Sequence, residues 1–134
     1  KVWDWYTLEG PCVRKRNGLY YCFYSGGCYE NDTYGVDYAV ARNVKGPYSD
    51  EGNEKGPRVL RTVPGRVLGP GHNSIVTGPD GQTDFIVYHA WDLEMKARRL
   101  CIDRLEWTEQ GPRCAGPTWT EQVIPVPDLA GSRR

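Results

Sequence analysis

Apolar and polar residues alternate along this chain in short stretches, the period-two pattern of half-buried strands. The alternation predicts strands over 12–16 (CVRKR), 19–25 (LYYCFYS), 34–41 (YGVDYAVA), 73–77 (NSIVT), 84–90 (DFIVYHA) and 97–105 (ARRLCIDRL), with a weaker one near 119–124. No long i, i+3, i+4, i+7 pattern appears, and no capping box precedes one, so helices are not expected. Asn17-Gly18 joins the first two strands as a tight hairpin, and Asp80-Gly81 plays the same part between residues 77 and 84. Longer loops are expected over 42–57, rich in Gly, Pro and charge, and over 64–72 (PGRVLGPGH).

The two antiparallel meanders recur with an offset of about 65 residues, Leu19–Ser25 and Phe85–Ala90 taking similar places in them. Repeated four-stranded units suggest blades of a β-propeller, although a β-sandwich accommodates the same strand count. Composition agrees with an all-β chain: nine Tyr and five Trp against two Phe, with 16 Gly and 10 Pro for turns. Residues 125–134 (PVPDLAGSRR) read as a tail leaving a domain that occupies 1–124. The chain opens on Lys1 and its one methionine is Met95, which predicts a natural start further upstream.

Lys plus Arg and Asp plus Glu both number 17, so the net charge is zero. Without a basic excess to neutralise phosphates, nucleic acid and anionic membrane surfaces are poor partners. The longest apolar run falls far short of the ~20 residues that cross a bilayer. The five cysteines (Cys12, Cys22, Cys28, Cys101 and Cys114) show no metal-ligand spacing, and several sit in strand-like apolar runs. They read as buried free thiols rather than a disulfide framework, and they do not disclose the compartment. Asn31-Asp32-Thr33 fits a glycosylation acceptor but is read as a plain turn.

An ordered set of short motifs narrows the picture. Leu8-Glu9-Gly10-Pro11 leads into Val13–Tyr21, followed by Phe23-Tyr24-Ser25-Gly26-Gly27, Tyr34-Gly35-Val36 with Tyr38-Ala39, and Gly46-Pro47-Tyr48. A second unit opens with Gly69-Pro70-Gly71-His72-Asn73-Ser74, passes Val87-Tyr88-His89-Ala90, and ends with Arg98–Asp103 and Leu105-Glu106-Trp107. Taken in this order, over roughly residues 3–120, the set resembles glycoside hydrolase family 43, whose fold is a five-bladed β-propeller around a central pocket. The resemblance implies about two of the later blades plus flanking strands. It also implies hydrolysis of arabinose- or xylose-type glycosides by an inverting mechanism, in which an acid protonates the departing oxygen and a base activates water.

By that resemblance Glu9 is the general acid, a role that calls for a carboxyl kept protonated by its surroundings. His72 lies at the propeller centre beside the substrate and, through water, can help hold a metal ion, calcium being the ion some members carry there. No cofactor is required for the reaction itself. Arg98 begins the late R-x-L-x-I strand and reaches toward sugar hydroxyls and the acid, while Arg99 points to the other face. His89 is expected to be structural, packed at a strand end. Trp3, Trp5, Tyr29 and Tyr34 could stack on sugar faces, but most of these rings are expected in the interblade core.

The family uses two further carboxylates, a general base Asp and an Asp that tunes the acid, both in blades preceding the Glu9 segment. Asp4, Asp32, Asp37, Asp84, Asp92 and Asp103 do not match their motifs. The chain is therefore expected to act as a fragment or with a partner chain, ahead of self-association of two copies. The alternative is a noncatalytic carbohydrate-binding β-module or inactive fragment. A secreted or periplasmic location is favoured over a cytoplasmic one.

Overall fold

The computed structural model describes residues 3–52 and 55–127. It contains seven strands: β1 Thr7–Arg16, β2 Leu19–Gly27, β3 Gly35–Ala41, β4 Leu68–Thr77, β5 Asp84–Trp91, β6 Arg98–Thr108 and β7 Gly111–Cys114. β1-β2-β3 form one antiparallel sheet and β4-β5-β6-β7 a second. Neither sheet has a crossover, so each is a simple meander, as the alternation predicts.

The first hairpin has the geometry its sequence demands. Arg16 pairs with Leu19 across a two-residue loop, and both loop residues are left-handed, Asn17 at φ 49° and Gly18 at φ 76°. That is the primed turn whose twist matches the strands. The β4–β5 connection is longer, because Thr77 pairs with Asp84 across residues 78–83. Asp80 organises it, its carboxylate accepting from the Gln82 and Thr83 amides at 3.0 and 2.9 Å.

The two sheets pack face to face. Phe23, Val36, Leu60 and Ile86 are fully buried between them, with Tyr88 and Leu105 nearly so. Trp107 closes one end, edge-on to Tyr21 at 5.1 Å and to Phe23 at 6.0 Å. The long β3–β4 connection is pinned by Val36 pairing with Leu60 and Val40 with Ser49. Arg58 fixes it further: its guanidinium lies 3.9 Å over the Tyr38 ring and 2.7 Å from the buried Asp37 carboxylate. Asp50 receives both Arg58 and the Tyr24 hydroxyl.

Three expectations need correction. The fourth strand of the second sheet is β7, Gly111–Cys114, and 119–124 forms no strand. Past Cys114 the chain is held by side chains instead, with buried Asp103 accepting from the Thr118 amide at 3.0 Å and its hydroxyl at 2.7 Å. Second, the stretch read as a loop over 64–72 already belongs to β4 from Leu68, whose pairing with β5 slips at Leu68/Gly71 and again at Gly71/Ser74. Bulges break the alternation there and hide the strand. Third, the first unit has three strands rather than four. Of the expected 125–134 tail, residues 125–127 carry no regular structure and 128–134 lie outside the described residues.

Candidate active site

β1 and β4, the leading strands of the two meanders, run close enough that Gly10 abuts His72: a Cβ on Gly10 would sit 3.5 Å from the His72 backbone and ring. This juxtaposition brings Glu9 and His72 together, with His72 Nδ1 4.0 Å from Glu9 Oε1. Both side chains stay open to solvent, 57% and 37% exposed. His72 adopts a left-handed backbone, φ 53°, uncommon for a bulky residue. The bulge at Gly71/Ser74 explains it, since an extra residue in a strand re-aims the side chain beside it. The His72 amide donates to the buried Ser25 hydroxyl at 2.7 Å, which holds the bulge against β2.

Glu9 is gripped from a second side. Tyr34, 1% exposed, donates its hydroxyl to Glu9 Oε1 at 2.8 Å. Burial first, and then this hydrogen bond, push the Tyr34 hydroxyl above its ordinary range, so it remains a donor at every relevant pH. Gly71 makes room for the ring: a Cβ there would lie 1.9 Å from Tyr34 Cε1. On the ring's other neighbour, His89 stacks at 5.9 Å and an 11° interplanar angle, and His89 in turn lies 6.2 Å from the His72 ring. Burial lowers the His89 pKa from its usual value, and the nearby charges of Arg98 and His72 add to the effect.

Arg98 lies on the same face of β6 as Leu100, which pairs with His89. It opposes Trp91 in the β5–β6 ladder, with Cζ 5.2 Å from the Trp91 ring. Its charge is felt at both Tyr34 and His89, but among the described residues no hydrogen bond joins it to Glu9. Arg99 turns the other way and pairs with Asp92 at 3.4 Å. Glu9, His72 and Arg98 thus surround one small region. Two residues escaped the sequence reading as members of it. Tyr34 is core, as expected of most of the rings, but its hydroxyl is the partner of Glu9. His89 is packed at a strand end, as expected, yet it also forms the floor between Tyr34 and His72. The alternation in Val87-Tyr88-His89-Ala90-Trp91 sets His89 and Trp91 on one face and was the available signal.

The residues present do not make a calcium site. Calcium takes about six to eight oxygen ligands. Here the cluster offers one imidazole and one carboxylate already bonded to Tyr34, and no group of three or more His, Cys, Asp or Glu among the described residues could hold a metal. Nor is Asp50 a free second carboxylate, although it shares a groove of about 460 Å³ with Asp4 and Glu9. It is committed to Tyr24 and Arg58. All five cysteines are free thiols, Cys28 and Cys114 buried. Asn31 closes an Asx turn, its side-chain oxygen accepting from the Thr33 amide at 2.9 Å.

Glycosidases are among the known proteins that this chain is similar to. The chain is 38% identical over 107 residues to a β-D-galactofuranosidase from Aspergillus niger, a match covering 78% of this chain and 30% of that protein. It is 34% identical over 96 residues to an extracellular exo-α-(1→5)-L-arabinofuranosidase from Streptomyces chartreusis, covering 66% of this chain and 29% of that one. Among solved structures, a thermostable family-43 glycoside hydrolase superimposes with a TM-score of 0.79 at 35% identity, over 90% of this chain and 39% of the other. The chain therefore spans about a third of the length of these relatives, and its two meanders are part of the family's five-bladed β-propeller. With the model of glycosyl hydrolases family 43 matching residues 1–112, the chain belongs to that family.

Proposed function

We propose that this chain supplies the acid side of an inverting glycosidase site for pentofuranosides or related sugars. Glu9 is the general acid that protonates the departing glycosidic oxygen. His72 and Arg98 bind the sugar beside it. The observation that carries this reading is the convergence on one carboxylate: Tyr34 donates to Glu9 Oε1 at 2.8 Å while His72 approaches the same oxygen at 4.0 Å. A hydroxyl that cannot ionise fixes the carboxyl's rotamer and leaves its other oxygen to face a substrate.

The remaining parts of an inverting site, a base and its water about 6.5–9.5 Å away, are assigned to blades outside this chain. Residues 1–124 correspond in this reading to the later blades. Leu8, beside Glu9 in its groove, and Leu100, paired with His89, stand 69% and 84% exposed, apolar surface that further blades or a partner chain would cover. Pairing of two copies would cover the same surfaces. A secreted location is supported by the Streptomyces relative, whose name calls it extracellular.

The test uses aryl arabinofuranoside, aryl galactofuranoside and aryl xyloside with the purified chain and a Glu9→Gln control. Release of aryl alcohol by the wild type alone supports Glu9 as acid in an assembly that supplies the base. Absence of release from both supports a chain that lacks the base, or a binding module. Equal release from both overturns the assignment of Glu9.

A further inference from the structure

Outside the Glu9 cluster, the loops at the start of β1, between β2 and β3, and before β4 enclose a groove of about 350 Å³. Trp3, Trp5, Asp32, Thr33, Arg61 and Thr62 line it. Its size falls within the range of small-ligand sites, about 300–1,000 Å³. The lining combines two indoles with a cation and an anion.

The walls are fixed before any ligand arrives. Trp3 stacks on Tyr24 at 5.9 Å and lies against Gly26, where a Cβ would come within 2.8 Å of the indole. Arg61 is held by the Pro57 carbonyl, which accepts from its Nε at 3.0 Å and also from Nη2. A guanidinium has five N–H donors, so three remain for a ligand. Thr62 donates to the Asp32 carbonyl at 2.6 Å, leaving the Asp32 carboxylate for the groove. The Thr33 hydroxyl bonds to Asn31 Oδ1 at 2.6 Å.

We propose that this groove is a subsite for the oligosaccharide chain of the substrate, with Trp5 as its stacking platform and Arg61 and Asp32 as its hydroxyl-binding pair. One cation balanced by one anion suits a neutral polyhydroxylated ligand rather than a phosphate or a peptide acid. Sugar rings present apolar C–H faces to indoles and hydroxyls to forked donors and carboxylates, and Trp5 stands 49% exposed.

The groove and the Glu9 cluster share one rim. Trp5 packs edge-on against Tyr6 at 5.3 Å, and Tyr6 lies 6.3 Å from Tyr29. The Tyr29 carbonyl receives the Trp91 indole N–H at 2.9 Å, and Arg98 rests over that same indole. On the other flank Thr62 accepts from the Gly69 amide at 2.9 Å, three residues before His72. A chain of sugars lying along this rim passes from the groove toward Glu9. The subsite deepens the glycosidase reading and rests on it for the class of sugar.

The experiment titrates the 134-residue chain with arabinohexaose and xylohexaose, and with arabinose and xylose, following indole N–H resonances and tryptophan fluorescence. One of the hexaoses is expected to shift the Trp5 indole, binding at least about tenfold more tightly than its monosaccharide. Trp5→Ala and Arg61→Ala each weaken the hexaose about tenfold or more. Trp5→Phe, which keeps a ring and guards against a folding defect, recovers part of that loss. Absence of binding by either hexaose, or affinity indifferent to Trp5 and Arg61, overturns the subsite. Aryl glycoside release reads the catalytic assignment separately: Trp5-dependent binding with equal release by wild type and Glu9→Gln sinks the Glu9 assignment and leaves the groove standing, and Glu9-dependent release with Trp5-independent binding does the reverse.

Discussion

Adding one methyl group at Gly71 tests whether the Tyr34–Glu9 contact is built by the backbone. The Cβ of Gly71→Ala would lie 1.9, 2.3 and 2.7 Å from Tyr34 Cε1, Cδ1 and Cζ, all far inside contact distance. Gly71 is not in the left-handed region, so the substitution adds steric conflict without backbone strain. The ring cannot simply swing away. It is 1% exposed, stacked on His89, and bonded to Glu9. Overpacking of this kind costs about 1–3 kcal/mol, and losing the hydroxyl's bond to a carboxylate adds about 1 kcal/mol. The midpoint of thermal unfolding followed by circular dichroism should therefore fall by roughly 8–16 °C, at about 4 °C per kcal/mol for a chain of this size. Gly81→Ala is the control, because Gly81 has positive φ but nothing within 4 Å of a Cβ, so it carries only backbone strain of about 1 kcal/mol. A Gly71→Ala protein that melts within a degree or so of wild type, with the Tyr34 ring resonances unmoved, would refute this account of the site.

Three further outcomes follow from the same packing. Tyr34→Phe keeps the ring and removes only the hydroxyl; it should cost about 1–2 kcal/mol by denaturant unfolding and free the Glu9 side chain, seen as averaged carboxyl and methylene resonances. Burial raises the Asp37 carboxyl to about 6, against the opposing pull of the Tyr38 amide and Arg58. A raised carboxylate pKa favours the protonated folded state, so this stability is complete below about pH 4 and lost as pH rises through 6, and Asp37→Asn should flatten that part of the stability-versus-pH curve. Arg58→Met leaves the fully buried Asp37 without its cation and should cost about 3 kcal/mol or more at pH 7, less at pH 5 where Asp37 takes up its proton.

Much of this molecule is legible from residue order. Period-two alternation locates six of the seven strands, because sheets with one face on a core impose it, and Asn17-Gly18 marks its turn through backbone conformation alone. Motif order singles out Glu9, His72 and Arg98 as candidates; the fold brings Glu9 and His72 within 4.0 Å and lays Arg98 over the Trp91 ring. What stays hidden depends on contacts across the chain. The Tyr34 hydroxyl meets Glu9 from 25 residues away, and His89 meets His72 only because Gly71 pairs with His89 across a bulged ladder. β7 is four residues long with a proline inside, too short to show a period. The segment near 119–124 has strand-forming residues but joins no ladder, and Asp103 holds its start through Thr118.

The central claim is that Glu9 delivers a proton to the departing oxygen, and leaving-group dependence tests it most directly. Rates for Glu9→Gln and wild type would be compared across aryl arabinofuranosides of rising leaving-group pKa, in the chain alone and mixed with the preceding blades of a family-43 propeller. A good leaving group departs without a proton, so the account predicts a small loss there, growing to about 10²–10⁴-fold for the poorest. A loss of the same size at every leaving group, or no loss at all, would contradict it.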